Sequence, residues 1–438
     1  MNAVKKLLRG LLLCVVLVAF LALWIALPWQ GLLLIALALA LWMGLTRSGR
    51  QAASVTWVGV GTLRQRLGAS SVVVIGIAGV VGVLVALLAM AEGYRHTLAS
   101  SGSDDTAIVL RGGSSAELMS VMSRDAITTI ERAPEIARDA EGRPLASAEI
   151  VVSANVARRD GEEGSVTLRG VGDMAWAVRP GLRLVEGRRF ETGRRELVVG
   201  RGAHRQFAGL DVGSDVRLGN QVWTVVGVFD SSDAMASEMW ADAEVVSAAY
   251  RRGSSRASVF ARLTSPEAFN AFKATLAADP RLQVEADTTR DYFSRQSEQL
   301  TTVLRWIGIV VGSIMAIGAV FGALNTMFAT VAARAREIAT LRAIGFRGLP
   351  VVAAVMLETM LLALLGGIVG GLLAWLIFNG YTASTLAGGV ASLSFEFRVS
   401  PQLLWEGLKW ALAIGFVGGL FPALRAATLP VTDALRAM

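Results

Sequence analysis

Six apolar stretches constrain this chain more than any other feature of its sequence. They occupy residues 7–27, 31–45, about 71–91, about 302–331, about 350–378 and about 402–422. Because a helix needs roughly 20 apolar residues to cross a membrane, the last four stretches are long enough to do so. Charged residues make up only 18% of the chain, against about a quarter in a typical soluble domain. The sequence therefore predicts an α-helical membrane protein with room for one soluble domain.

The first two stretches are separated only by the turn Pro-Trp-Gln-Gly, with basic residues on both sides. This pattern predicts an N-terminal hydrophobic helical hairpin over residues 1–50 whose two ends face the cytoplasm. The second stretch is short, so a full crossing and a shallow or tilted hairpin both fit. Residues 51–70 mix apolar positions with Arg64 and Arg66, which predicts a cytoplasmic interfacial helix before the first core span at 71–99.

The distribution of charge sets the topology. Residues 91–300 hold 26 basic and 30 acidic residues, so the net charge of +7 comes from short segments beside the apolar runs. Segments enriched in Lys and Arg stay in the cytoplasm. The alternation of sides places 332–349 and the C-terminus inside, and the large segment 91–300 and the loop 379–401 outside. Because the basic excess lies beside spans, nucleic acid is not an expected partner, whereas membrane lipid is.

The segment 100–290 changes character completely. Short β-prone pieces such as EIVVSANVARR, SVTLRGVG, RELVVG and QVWTVVGVFD alternate with Gly, Asp and Asn turns. SPEAFNAFKATLAAD has the start signal and apolar spacing of a helix. The overall expectation is four core transmembrane helices plus an N-terminal hydrophobic hairpin, with an α+β soluble domain of about 200 residues outside the membrane.

The segment 291–438 should hold a stalk and three spans. The run 302–331 would measure roughly 45 Å as a helix, longer than a hydrocarbon core of about 30 Å, so it should project from the bilayer. Glycine pairs four residues apart, which let helices approach closely in lipid, recur in these spans. They are Gly308/Gly312, Gly318/Gly322, Gly366/Gly370, Gly367/Gly371 and Gly415/Gly419. Packing within one chain and packing between subunits fit equally well.

Glu358 is the one acidic residue well inside a predicted span. A carboxylate in a membrane is costly and normally faces a partner or a cavity. Two interpretations remain open, namely a hydrogen-bonded contact between helices near the inner leaflet and a role in moving protons or substrate.

Motifs for intrinsic chemistry are missing. No phosphate-binding G-x-x-x-x-G-K-[ST] motif occurs, and Lys5, Lys6, Lys273 and Lys409 are the only lysines. The two histidines are isolated and Cys14 is the only cysteine, so the sequence indicates no metal site. We therefore expect neither catalysis nor a cofactor on this chain.

The segment between the second and third core spans is unusually basic. Its sequence ARAREIATLRAIGF is rich in helix-forming residues, and Gly345 stands where a helix C-cap is expected. Ile338, Leu341 and Ile344 recur at three-residue steps, with Arg334 and Arg342 on other faces. An inert topological anchor and a helix that docks a partner fit the pattern equally well.

These residues carry a resemblance. RAREIATLRAIG resembles the motif of FtsX-like permeases, the membrane subunits of MacB-type (type VII) ABC transporters. LRQRLGASSVVVIGIAGVVGVLVALLAMAEGYRHTL resembles the first span of that family. GLRLVEGRRF, RELVVGRGAHRQF and LDVGSDVRLGNQVWTVVGVF resemble its MacB-like periplasmic core. GGLFPALRAATLPVTDALR resembles its closing segment.

The resemblance implies roles for particular residues. A coupling helix at 332–347 would dock on the ATPase, and the C-terminal cytoplasmic segment would end the core. The coupling residues are Arg334, Arg336, Glu337, Ile338, Leu341, Arg342 and Gly345, and the C-terminal ones are Pro422, Arg425 and Pro430.

The resemblance also implies partners. The chain would be a non-catalytic permease of a bacterial inner membrane, with ATP and Mg²⁺ on a separate dimeric ABC ATPase. A second permease copy or a related permease, a periplasmic adaptor and an outer-membrane duct would complete an efflux system that works by mechanotransmission. Two alternatives are a lipoprotein-releasing permease and a signalling permease that controls a cell-wall hydrolase.

Overall fold

Long helices at both ends of the chain frame a segment rich in short strands. The computed structural model describes residues 19–20, 23–61, 67–159, 161–231, 233–387 and 391–428. The helices are α1 (Trp29–Leu45), α2 (Arg47–Gly61), α3 (Leu67–Ser100), α4 (Arg124–Glu131), α5 (Ala175–Val178), α6 (Arg201–Gln206), α7 (Ala243–Ala249), α8 (Ala268–Ala278), α9 (Thr289–Ala333), α10 (Ala335–Ala343), α11 (Gly348–Phe378) and α12 (Pro401–Thr428).

Most strands belong to one mixed sheet. The strands are β1 (Thr106–Arg111), β2 (Ala146–Ala157), β3 (Glu163–Val171), β4 (Arg183–Gly187), β5 (Glu196–Gly200), β6 (Asp215–Leu218), β7 (Gln221–Asp230), β8 (Glu238–Asp242), β9 (Ser258–Arg262), β10 (Val284–Thr288), β11 (Thr382–Ala387) and β12 (Ala391–Glu396). The sheet order is β10-β1-β9-β2-β3-β8-β5-β7-β4, with β6 also paired to β7. The pairs β3/β8 and β5/β7 are parallel, and the others are antiparallel. This is the α+β arrangement that the sequence predicts.

The chain divides into two compact units. The membrane unit comprises residues 1–90, 304–379 and 398–438, and the soluble unit comprises 91–303 and 380–397. The strands predicted from the sequence lie in the soluble unit as β2, β3, β5 and β7, and the predicted helix is α8. The soluble unit also contains a β11–β12 hairpin in the segment that the sequence analysis treats as a loop.

Two hydrophobic clusters form the core of the soluble unit. One packs Phe272 and Leu276 of α8 and Ile130 of α4 against strands β1 and β9. The other surrounds the fully buried Trp223 of β7 and includes Leu168 of β3. Alternating apolar positions along each strand supply both clusters, as expected for a sheet with helices packed against it.

Arg169 lies at the centre of a buried ionic cluster in the soluble unit. Its guanidinium donates two hydrogen bonds to Glu117, two to Glu238 and one to Glu149, with lengths of 2.7–3.0 Å. All five N–H donors of the side chain are therefore used. Arg179 donates two more hydrogen bonds to Glu149 at 2.6 and 2.8 Å. Because these residues come from β2, β3, β8 and two connecting segments, the cluster ties the middle of the sheet together.

Glu117 gives this cluster a pH dependence. Burial alone would raise the pKa of Glu117, but the charge of Arg169 and hydrogen bonds from Arg169 and Ser258 reverse the effect and lower it. A carboxylate with a lowered pKa in the folded state stabilises the fold above its unfolded-state pKa. That contribution is lost as the pH falls through the folded-state value.

Replacement of Arg169 by Met should destabilise the soluble unit strongly. The substitution leaves buried carboxylates without their cation, which costs about 3–5 kcal/mol of unfolding free energy. Hydrogen exchange of sheet amides in the full chain measures this. Arg183→Met is the control, because Arg183 lies exposed on β4 and should change stability by less than about 0.5 kcal/mol. Equal effects of the two substitutions would contradict the structural role of the cluster.

The membrane unit contains the predicted spans. Among the residues that the structure describes, four helices are long and apolar enough to cross a membrane, namely Ser70–Ser100, Thr289–Ala333, Gly348–Phe378 and Pro401–Thr428. The polar stretch before the 302–331 run belongs to the same 45-residue helix, α9. Within the described residues, α1 and α2 form a further pair that is apolar enough when taken together, bent by 101°.

The helix after the bend begins four residues earlier than the sequence predicts. The sequence analysis starts the interfacial helix at residue 51, whereas α2 begins at Arg47. Thr46 is the cause, because its side-chain oxygen accepts a hydrogen bond from the backbone N–H of Gly49 at 2.9 Å and so caps the new helix. A Cβ on Gly49 would lie 2.0 Å from the carbonyl oxygen of Trp42, so this turn requires glycine.

The described part of the N-terminal hairpin packs on α12. The amine of Lys409 donates to the carbonyl of Ile25 at 2.6 Å and to Glu406 at 3.1 Å, and the indole of Trp24 donates to the carbonyl of Lys409 at 3.2 Å. Trp24 and Leu32 are buried with Ala413. Lys409 thus satisfies a carbonyl at the end of a helical turn, where Pro28 cannot continue the hydrogen-bond pattern.

Most of the glycine pairs serve packing within this chain. A Cβ on Gly370 would lie 2.4 Å from the carbonyl oxygen of Ala78 in α3, and one on Gly415 would lie 2.4 Å from the Cβ of Ala363. Gly318 and Gly322 differ, since a Cβ there would meet nothing within 4 Å. The close approach of α3, α11 and α12 therefore depends on glycines at specific crossing points.

The sequence analysis places Pro422 in the C-terminal cytoplasmic segment that ends the core. In the structure Pro422 lies buried inside α12, which continues to Thr428. The missing N–H of Pro422 frees the carbonyl of Gly418, and membrane helices tolerate proline where neighbouring helices pack closely. Arg425 is exposed, with its guanidinium 5.6 Å from the ring centre of Phe328. Pro430 lies outside the described residues.

The substitution Gly370→Ala should loosen the contact between α3 and α11. The added methyl group overlaps the backbone of Ala78 and should cost roughly 1–3 kcal/mol. Gly318→Ala is a matched control, because the same methyl group enters open space there. Thermal unfolding of the purified full chain in detergent compares the two, and a Gly318→Ala protein that loses as much stability would refute this assignment.

Candidate functional site: a clamped helix between two spans

Helix α10 is a short element between α9 and α11. Arg334 is its N-cap residue, and the backbone at Ala333–Arg334 separates it from α9. At its other end Gly345 has a φ of +107°. The N–H of Gly345 donates to the carbonyl of Arg342, and that of Phe346 donates to the carbonyl of Leu341, both at 3.1 Å. This is a Schellman C-cap, so the expected role of Gly345 as the helix stop has a defined geometry.

Arg334 and Glu358 form a buried ion pair beneath α10. The guanidinium donates to Glu358 Oε2 at 3.0 Å, and the two residues are 7% and 5% exposed. Arg334 also donates to Glu337 at 3.0 Å. Of the two interpretations of Glu358, the structure shows the contact between helices, since this carboxylate joins α11 to the N-terminus of α10.

Gly59 of α2 covers this ion pair. A Cβ at that position would lie 3.2 Å from Glu358 Oε2 and 3.3 Å from the guanidinium of Arg334. We call Gly59, Arg334 and Glu358 the clamp. A methyl group there would be tighter than usual against both charged side chains, so glycine favours the close approach of α2, and the clamp holds α2, α10 and α11 at one point.

The remaining predicted residues divide between an inner and an outer face of α10. Ile338 is buried in a cluster with Val331, Val351, Val355, Ala423 and Ala426. Leu341 and Arg342 are partly buried. Arg336 and Glu337 are exposed, and Ile344 is 72% exposed.

The three apolar residues of α10 do not share one face. Ile338 and Arg334 face the interior of the chain, whereas Ile344 points away from it, so the three-residue spacing does not form one outward apolar stripe. A step of three residues drifts around a helix of 3.6 residues per turn, which separates Ile338 from Ile344. The face available to a partner contains Arg336, Glu337, Thr340 and Ile344.

Comparisons with known proteins match the chain in two blocks. The sequence profile of the MacB-like periplasmic core domain matches residues 70–279, and that of the FtsX-like permease C-terminal domain matches residues 309–431. The chain therefore combines a MacB-like periplasmic core domain with an FtsX-like permease domain. The clamp and α10 lie inside the FtsX-like domain, apart from Gly59, which precedes both blocks.

The names of the relatives include the word permease. The chain is 26% identical over 387 residues to a protein of Paracoccus denitrificans named macrolide export ATP-binding/permease protein MacB 1/2, covering 83% of this chain and 55% of that protein. It is 30% identical over 137 residues to the uncharacterized ABC transporter permease YknZ of Bacillus subtilis, covering 31% of this chain and 32% of that one. The chain thus spans about half the length, or less, of these curated relatives.

A solved structure matches as well. The periplasmic region of MacB from Actinobacillus actinomycetemcomitans has a TM-score of 0.35 and is 14% identical, covering 45% of this chain and 94% of that one.

Among the described residues of this chain, no group of three or more His, Cys, Asp or Glu side chains is arranged to hold a metal ion. The buried arginines that the structure describes, Arg169, Arg256 and Arg334, each form an ion pair with a carboxylate. Sequence reasoning missed the Arg334–Glu358 pair, although a lone carboxylate in a span calls for a cationic partner. Arg334 precedes the N-terminal end of α11, the end at which Glu358 lies, and this nearness could have suggested the pair from the sequence.

Substitution of Glu358 by Gln should release α10 from α11. A buried arginine that loses its carboxylate is destabilising by about 3–5 kcal/mol. Faster hydrogen exchange of residues 335–343 in the purified full chain measures the release. Arg334→Gln should act alike, whereas Arg347→Gln, at an exposed arginine before α11, should leave exchange unchanged.

The double variant Arg334→Met/Glu358→Met tests whether the two residues stabilise the helices as an ion pair or only through the burial of each side chain. It removes both charges, so it should recover much of the stability that either single change loses. Additive losses in the double variant would show that the two residues do not act as a pair.

Proposed function

We propose that this chain is the membrane-spanning subunit of a MacB-like ABC transporter, and that α10 is the element on which a separate ATPase acts. The observation that carries the proposal is the clamp. A helix between two candidate spans exposes one face and is held by a buried ion pair on the other. Force applied to the exposed face would therefore reach α11 through Arg334 and Glu358 rather than being absorbed by a mobile loop.

The proposed energy source lies on a partner. ATP and Mg²⁺ would bind a dimeric ABC ATPase, and this chain would supply no catalytic residue or cofactor site. The name of the Paracoccus relative joins ATP-binding and permease functions, which supports ATP hydrolysis as the energy source. The exposed Arg336 and Ile344 offer the ATPase a cationic and an apolar contact, and arginine is one of the residues that contribute most at protein interfaces.

The proposed output is movement of the soluble unit. Helices α3 and α9 each contribute residues to both units. Because α9 leads directly into α10 and α3 packs on α11 at Gly370, a tilt of α10 and α11 would travel along these two helices. Two permease copies, or this chain and a related one, would act together in a bacterial inner membrane. The soluble unit would lie in the periplasm and drive efflux of a periplasmic substrate through an adaptor and an outer-membrane duct.

The test is a coupling assay with the cognate ATPase. Arg336→Ala/Ile344→Ser should lower ATP hydrolysis by the reconstituted complex about tenfold, which corresponds to about 1.4 kcal/mol of lost contact. Both side chains are exposed, and hydrogen exchange of residues 335–343 checks that the fold and the clamp are retained. Glu337 is avoided because it also binds Arg334.

Arg217→Ala, at an exposed arginine of the soluble unit, serves as the control and should keep full activity. Copurification reports whether the ATPase still binds. If the Arg336→Ala/Ile344→Ser complex assembles and hydrolyses ATP like the wild type, α10 is not the coupling element.

A further inference from the structure

Helix α2 has two distinct faces. Gly49, Ala52, Val55 and Gly59 recur at three- and four-residue steps and are buried. The opposite stripe is exposed, and it contains Arg47, Arg50, Ser54, Trp57, Val58 and Gly61. The inner face packs against α11 and the outer one is open.

The inner face of α2 reaches the clamp directly. Gly59 lies against both charged groups of the Arg334–Glu358 pair, so a displacement of α2 would expose a buried ion pair to water or lipid. An ion pair in a low-dielectric interior depends strongly on such cover, since water weakens the attraction between its charges. The position of α2 therefore influences how firmly α10 is held.

The outer face of α2 has the composition of a bilayer interface. Trp57 is 82% exposed, and tryptophan is enriched at the level of lipid headgroups. Arg47 and Arg50 are exposed without an ion pair in the part of the chain that the structure describes, and α2 contains no acidic residue. Two free guanidinium groups beside an indole fit negatively charged phosphate groups at a membrane surface.

The neighbouring helix identifies the occupant as lipid rather than a soluble anion. Helix α1 exposes Leu33, Leu34, Leu37, Leu41 and Leu45 and ends one residue before α2 begins. A helix with such an apolar surface lies in the hydrocarbon region, and the 101° bend turns the chain sharply where α1 ends. Arg47 and Arg50 then lie at the boundary between hydrocarbon and headgroups.

We infer that α2 is a strap that binds anionic phospholipid through Arg47 and Arg50 and thereby presses Gly59 onto the Arg334–Glu358 pair. Lipid composition would then set how tightly α10 is held. The consequence for ATPase coupling rests on the proposed function, whereas lipid binding and closure of the clamp do not.

Hydrogen exchange of the full chain in lipid nanodiscs, without ATPase, tests the strap. Discs of phosphatidylcholine are compared with discs that also contain phosphatidylglycerol. Each arginine near an anionic surface contributes about fivefold in binding, equivalent to about 1 kcal/mol. Phosphatidylglycerol should therefore slow exchange in residues 47–61 by up to about 30-fold at low salt, and exchange in 335–343 should slow with it.

The variant Arg47→Gln/Arg50→Gln should not respond to phosphatidylglycerol in either segment. Arg111→Gln/Arg124→Gln removes the same charge from exposed positions of the soluble unit and should respond like the wild type. Inorganic phosphate added to phosphatidylcholine discs should have no effect.

Three results would overturn the inference. They are protection by free phosphate alone, an unchanged lipid response in Arg47→Gln/Arg50→Gln, and protection confined to residues 47–61. Because no ATPase is present, these results are independent of whether α10 docks one.

Discussion

The Arg334–Glu358 ion pair is the interaction on which the arrangement of α2, α10 and α11 depends. Taking both charges out of water costs several kcal/mol per ion, and their attraction offsets this only in good geometry. The 3.0 Å hydrogen bond and the close cover by Gly59 supply that geometry. An apolar pair of similar volume would cost less to bury, so the pair contributes position rather than net stability. It fixes where α10 begins relative to α11.

Glycine explains how two further helices, α3 and α12, come close enough to α11 for this arrangement to hold. Gly366 and Gly370 meet the backbone of α3, while Gly415 and Gly419 meet Ala363 and Thr359. In lipid there is no hydrophobic drive between helices, so van der Waals contact at such points carries much of the association. The ion pair and the glycine contacts are complementary, because the glycines bring the backbones together and the charges select one register.

The sequence predicts the fold well where patterns are long and repeated. Spans, the alternating strands and Gly345 as a helix stop follow from apolar run length, period-two alternation and left-handed backbone at glycine. It predicts less where the outcome depends on tertiary contacts. Arg334 looks like a surface charge until Glu358 folds against it, and Pro422 looks like part of the C-terminal cytoplasmic segment until its neighbours are seen to pack around it. The sequence alone does not show that Arg334 and Pro422 are buried, because burial arises only when the helices pack together.

The two buried arginine clusters show why one is suited to rigidity and the other to transmission. Arg169 is surrounded by three buried carboxylates that use all its donors, so no single partner can move without breaking the rest. Arg334 instead connects a buried carboxylate, Glu358, with Glu337, which is half exposed on α10. A change in the environment of Glu337 at the surface therefore acts on the same guanidinium that holds α11. Arg334 thus links the exposed face of α10 directly to α11, so a force on that face would reach α11 through a single side chain.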